Sequence, residues 1–206
     1  MLENFLLQMR PFFGKEEREM INNYNFEEGF LTEFKVTKSF EDALRELLGV
    51  KFTHAVTSGT AALLSVAAAL GIKEGDEVLI PNFTMIATAN AFKAVGAIPI
   101  FCDIEEETLC ISLQEIMKRK SPKTKAVVLV NSNGRFPSYN VDELRESLNK
   151  QGIFLIEDAA QSLGSKYPDG TAIGAKANVG VLSFSTPKII STGQGGLVFT
   201  DDEAIS

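Results

Sequence analysis

The chain has 206 residues, 45% of them hydrophobic, and a formal net charge of −7 at pH 7, with a sequence pI of about 4.9. That balance, with no basic run, argues against nucleic acid or an anionic membrane surface as partner, and no apolar run is long enough to span a bilayer. The only histidine, His54, rules out a His-cluster metal site and any mechanism that needs two histidines.

Two cysteines, Cys102 and Cys110, flank a predicted turn, and the sequence shows no signal-peptide pattern before them. This predicts free thiols in a reducing compartment, and hence a cytoplasmic location. Residues 1–37 read as an N-terminal arm that packs on something such as a partner subunit. Phe12, Phe13, Phe26, Phe30 and Phe34 make it aromatic, Glu16–Met20 could form a short helix, and Asn22–Asn25 breaks the pattern. From Ser39 to Leu48 the apolar spacing is helical, with Ser39 as candidate N-cap and Gly49 as the stop.

Strands and helices then alternate. Strands are expected at His54–Thr57, Glu77–Ile80, Ile98–Ile104, Ala126–Val130 and Ile153–Ile156. Helices are expected at Ala61–Leu70, Thr84–Val95, Ser112–Arg119 and Val141–Lys150, with a short one starting over Ala159–Leu163. Val179–Ser185 and Gly196–Thr200 complete a set of seven strands. Apolar strands alternating with helices predict an α/β fold, a mostly parallel sheet covered on both faces. The last two strands are joined by too few residues for a helical crossover, so that pair is expected not to be parallel.

Ligands of open α/β sheets sit beyond the carboxyl ends of the strands. Three stretches fall there. Ser58-Gly59-Thr60 follows a strand and opens a helix, which suits a phosphate at the free N–H groups, or plain N-capping. Asp158 and Gln161 have the spacing of a capping box; alternatively Asp158 is a carboxylate aimed at a protonated ring nitrogen. Lys188 lies in a loop of Ser, Thr, Pro and Gly between two strands. It reads as a solvated loop lysine, or as a desolvated amine nucleophile of the kind that forms a Schiff base. Taken together, a phosphate cradle, a carboxylate and a loop lysine, each after a different strand, fit pyridoxal phosphate (PLP).

Three longer stretches carry a resemblance. TSGTAALLSVAAALGIKEGDEVLIPNFTMIATANAF, IEDAAQSLGS and SFSTPKIISTGQGGLVFT closely resemble the DegT/DnrJ/EryC1/StrS family of fold-type-I, PLP-dependent nucleotide-sugar aminotransferases. The likeness runs from about Gly29 to the end. It implies that residues 38–206 are the cofactor-binding large domain, with Lys188 as the Schiff-base and proton-shuttling lysine. Asp158 would partner the pyridine nitrogen, Gln161 would bond the phenolic oxygen, and Ser58, Gly59, Thr60 and Ser183 would cradle the phosphate. Where many members stack an aromatic side chain on the ring, this chain has Met85, with Phe83 nearby. Where the family often has a histidine, it has Asn131.

The resemblance further implies an amino-acid donor (usually glutamate), a keto nucleotide-sugar acceptor and a homodimer with sites at the interface. Lys188 stands where the family's dehydratase branch has a histidine. Family members continue for roughly as much chain again, so the small C-terminal domain is expected to be absent and an apolar patch left exposed. Two rival expectations remain: a PLP-binding or subunit-association module without turnover, and a plain nucleotide-binding α/β domain. The second lacks the usual G-x-G-x-x-G signature.

Overall fold

The structure is a computed structural model, and it describes residues 12–25, 27 and 35–206. Seven strands form one sheet in the order β1-β7-β6-β5-β4-β2-β3. They are β1 (Phe52–Val56), β2 (Glu77–Pro81), β3 (Ile98–Cys102), β4 (Thr124–Val130), β5 (Phe154–Asp158), β6 (Val179–Ser183) and β7 (Gly196–Thr200). From β3 across to β6 every pair is parallel. β7 runs against both its neighbours, β6 and β1. The short link between β6 and β7 therefore does force antiparallel pairing, as expected.

The described residues also form α1 (Lys15–Asn22), α2 (Lys35–Leu48), α3 (Gly59–Ala69), α4 (Ile86–Ala94), α5 (Leu113–Arg119) and α6 (Val141–Asn149), of which α2, α5 and α6 cover one face of the sheet and α3 and α4 the other. Alternate residues of the inner strands enter opposite cores, the period-2 consequence of the pleat. Leu79, Leu129, Leu155, Leu182 and Phe199 pack with Leu44, Ile116 and Leu148 from α2, α5 and α6. Val78, Val128, Ile156, Val181 and Val198 pack with Val66 of α3 and Phe92 of α4. Burial on both faces explains why these strands read as near-continuous apolar runs. The alanines of α3, with Ala62 and Ala67 fully buried, let that helix lie close against the sheet.

Two local expectations are corrected. α2 starts at Lys35, so Ser39 lies inside the helix and is not its N-cap. Ala159–Leu163 forms turns rather than a helix. Asp158 Oδ1 accepts the Ala160 N–H at 3.2 Å, and Ser162 Oγ donates to the Asn131 carbonyl at 2.5 Å. Such side-chain bonds to backbone compete directly with a helical ladder.

The crossover from β5 to β6 is consequently a looped excursion, anchored from below. Glu157, fully buried, accepts the N–H groups of Lys176 and Ala177 at 3.0 Å each and the hydroxyl of Tyr167. Of the arm, α1 has no buried residue; Phe12 and Phe13 are exposed, and Phe26, Phe30 and Phe34 lie outside the described residues. No helix among the described residues is long and apolar enough to cross a membrane.

Candidate active site

The direction of β7 matters here. The chain leaves β6 at Ser183, makes the loop that carries Lys188, and re-enters the sheet at Gly196, opposite Ser183 and Val56. The whole loop thus stays at the carboxyl end of the parallel strands. Its base is tied by Phe184, which donates to the Gly195 carbonyl at 2.8 Å and accepts from Thr192 N–H at 3.0 Å. The Phe184 ring is buried and meets Phe40 of α2 edge-on, with centroids 5.1 Å apart. Inside the loop, Lys188 N–H bonds Ser185 O at 2.9 Å.

A cleft of about 150 Å3 gathers Ser58, Gly59, Thr60, Met85, Asp158, Ser183 and Lys188. A smaller adjoining cleft is lined by Thr84, Met85, Asn131, Asp158, Gln161 and Lys188. Ser58, Gly59, Thr60, Met85, Asn131, Asp158, Gln161, Ser183 and Lys188 thus all line this one region. Met85 is 63% exposed and borders both clefts, whereas Phe83 borders neither.

At one end is the mouth of α3. Ser58 caps the helix, its Oγ accepting the Ala61 N–H at 3.0 Å, and Ala62 N–H bonds Ser58 O. Gly59 and Thr60 are the first two helical residues, whose N–H groups have no partner within the helix. N-capping and anion binding are therefore compatible here, because they use different N–H groups. Two glycines make the packing possible. A Cβ on Gly59 would stand 2.8 Å from Ser183 Cβ, and one on Gly196 would stand 2.3 Å from the Ser58 carbonyl oxygen. The Ser183 hydroxyl donates to that of Ser185 at 3.4 Å.

At the other end is Asp158, 5% exposed. Burial pushes its carboxyl above the usual range; the Thr88 hydroxyl, the Ala160 N–H and the Lys188 charge pull the other way. Burial likewise lowers the Lys188 amine, opposed by the charge of Asp158. A lysine lowered in this way has more free amine at neutral pH, the form that attacks a carbonyl. Gln161 Oε1 accepts the Asn133 N–H at 3.1 Å, which leaves its amide protons for another partner. Asn131 is fully buried: its Nδ2 donates to Arg135 O at 3.0 Å, and its Oδ1 has no hydrogen-bond partner among the described residues.

The sequence reading missed Thr84, Thr88, Ser185 and Gln194. Thr88 Oγ1 donates to Asp158 Oδ2 at 2.8 Å, and Ser185 and Gln194 line the larger cleft. The one available signal for the threonines was their four-residue spacing within the helix expected over Thr84–Val95; in the structure α4 begins only at Ile86, and Thr84 precedes its N-cap Met85.

The model of the DegT/DnrJ/EryC1/StrS aminotransferase family matches residues 12–206. The chain belongs to this family. It is 34% identical over 195 residues to GDP-perosamine synthase of Vibrio cholerae, covering 95% of this chain and 52% of that protein. It is 36% identical over 203 residues to the spore coat polysaccharide biosynthesis protein SpsC of Bacillus subtilis, covering 98% and 51%. Among solved structures, Spr1654 from Streptococcus pneumoniae in its PLP form superposes with a TM-score of 0.85 at 25% identity, over 96% of this chain and 53% of that one. The chain spans about half the length of the curated relatives it matches.

Proposed function

We propose that this chain is the cofactor-binding part of a PLP-dependent aminotransferase that passes an amino group, with glutamate as the expected donor, to a keto nucleotide-sugar. The observation that carries the reading is one cleft with an amine, Lys188, and a buried carboxylate, Asp158, beside the open mouth of α3. The donor set suits the cofactor. The mouth of α3 offers two N–H groups and the hydroxyls of Ser58, Thr60 and Ser183 to a phosphate. Gly59 brings the helix mouth and the Ser183 hydroxyl together, since a Cβ there would stand 2.8 Å from Ser183 Cβ and 3.2 Å from its Oγ.

When bound, PLP supplies an electron sink that stabilises negative charge at the substrate carbon. The chain does the rest. Lys188 provides the attacking amine and afterwards carries a proton to or from the substrate carbon. Asp158 presents a carboxylate to the ring nitrogen, and Gln161 presents amide protons to the phenolic oxygen. Met85 offers a thioether to the ring face in place of an aromatic side chain.

The name of the Vibrio cholerae relative supports a nucleotide-sugar acceptor, and that of the Bacillus subtilis relative supports polysaccharide biosynthesis. We place the protein in the cytoplasm, as a homodimer. Met85, Ile189 and Ile190 line clefts at Lys188, Phe83 and Ile86 lie beside Met85 in the chain, and all five are at least 46% exposed, which favours a covering surface there.

The test is the absorbance spectrum of the chain with added PLP, before and after borohydride, with peptide mapping, beside Lys188→Ala. A visible band that borohydride fixes onto Lys188, and that the variant lacks, supports the reading; no band in a folded chain overturns it. A second reading is a PLP-binding or subunit-association module without turnover. On that reading the chain holds PLP without turnover, so the band forms but an amino donor does not discharge it.

A further inference from the structure

Both carboxylate oxygens of Asp158 are engaged. Oδ1 accepts the Ala160 N–H. Oδ2 accepts the hydroxyl of Thr88, itself only 1% exposed. The Thr88 hydroxyl lies 2.9 Å from that of Thr84. A threonine has one hydroxyl proton, and an ionised carboxylate can only accept. While Asp158 is ionised, Thr88 must direct its proton there, so Thr84 is the donor in the second bond. The chain runs one way, from Thr84 through Thr88 to Asp158. Its outer end borders the smaller cleft, beside Met85, Gln161 and Lys188. Thr88 N–H also bonds Met85 O at 3.0 Å, so the residue that holds Asp158 is locked to the turn that bears Met85.

We propose that Thr88, backed by Thr84, is a positioning residue that keeps Asp158 ionised and oriented toward the cleft. The part that names the carboxylate's partner as a protonated ring nitrogen rests on the proposed function above. Burial works against the anion, and the Thr88 hydroxyl is the leading opposing influence. Among the described residues, Lys188 is the charged side chain that acts on Asp158. Glu157, next in the strand, turns to the opposite face, toward Tyr167 and the backbone of Lys176 and Ala177. A hydrogen bond to a charged group contributes more than one between neutral groups. Loss of the Thr88 hydroxyl should therefore be felt in the charge of Asp158, not only in packing.

The test uses the full chain as Thr88→Val, Thr88→Ser and Thr84→Val, with two readouts. The first needs no cofactor. The carbon-13 signal of the Asp158 carboxyl, assigned with Asp158→Asn, is followed against pH. Its midpoint is expected to rise in Thr88→Val, to return near the parent in Thr88→Ser, and to rise less in Thr84→Val. The second compares affinity for PLP with that for an analogue whose ring nitrogen is replaced by carbon. Thr88→Val is expected to weaken PLP on the order of tenfold and to leave the analogue unchanged.

An unmoved midpoint overturns the proposal, and so does equal weakening of both ligands. If the parent chain binds neither ligand, the cofactor reading fails and the midpoint alone decides. If Thr88→Val does not fold, Thr84→Val carries the same readouts in the same direction, and a null result there overturns the proposal equally.

Discussion

Gly59 and Ser183, in different elements, meet so closely that a Cβ on the glycine would stand 2.8 Å from the Ser183 Cβ. The contact joins the first residue of α3 to the last residue of β6 and thereby closes one end of the cleft. Gly59→Ala must push the two apart. We expect a destabilisation of about 1–3 kcal/mol, measured by chemical denaturation, together with a loss of PLP affinity larger than the fold defect explains. Gly196→Ala is expected to be the more severe, because its Cβ would meet backbone atoms of Ser58 and Gly59. Equal stability and unchanged affinity in Gly59→Ala would show that the cradle is loose.

Ser58 has two separable tasks, capping α3 and facing the cleft. Ser58→Ala removes the cap to Ala61 N–H and should destabilise the cofactor-free chain by about 1 kcal/mol. Ser58→Gly should lower stability by only a few tenths. The two variants share the loss of the hydroxyl. A similar fall in PLP affinity in both would assign that fall to the cleft, and a fall in Ser58→Ala alone would assign it to the helix.

Asp158 is expected to weaken the fold in order to serve the site. Burial raises its carboxyl in the folded state. For an acid raised on folding, the penalty is absent below the unfolded value and grows as pH rises toward the folded one. Asp158→Asn should therefore raise the thermal midpoint of the cofactor-free chain at neutral pH. That gain should vanish as pH falls to about 4, the ordinary range for an unfolded aspartate. The same variant should bind PLP poorly. Calorimetry across pH checks the sign; a variant less stable than the parent at neutral pH would contradict it.

The Tyr167 hydroxyl is one of the donors to the buried Glu157 carboxylate. Tyr167→Phe leaves that carboxylate short of a partner, and a destabilisation of about 1–3 kcal/mol follows. The proposed PLP site, at Asp158, lies on the other face of β5, so affinity at a temperature where the variant is folded should hardly change. A large loss of affinity would mean that the excursion between β5 and β6 is coupled to the cleft.

If a second copy covers the cleft rim, a charge placed there should prevent it. Ile86 and Ile189 are 65% and 57% exposed. Ile86→Glu with Ile189→Glu is expected to convert a dimer to monomer in sedimentation, without lowering the melting temperature of the isolated chain. A parent chain that is monomeric at working concentration would remove the basis for the interface.

Much of the architecture was legible in the residues alone. Val, Ile and Leu runs of strand length, separated by helical periods and Gly stops, predict the seven strands and their two-sided burial. Too few residues around Lys188 for a crossover predict the reversed β7. The short turn after Asp158 was misread because Asp, Ala and Gln suit a helix start equally well. The outcome there depends on Asn131, 31 residues from Ser162, taking a hydrogen bond from its hydroxyl.

The sequence by itself determined the α/β sheet covered on both faces, the family, and the residue types at the ends of the strands, since these follow from local periodicity and short motifs. Only the tertiary structure decided which groups act on one another. Thr88 and Asp158 are 70 positions apart, and no local pattern links them. Gly59 and Ser183 are brought together by strand order rather than by sequence. Whether a polar group is satisfied, and whether a carboxylate is driven up or held down, depends on what the rest of the chain packs around it. That information belongs to the fold and not to any segment of it.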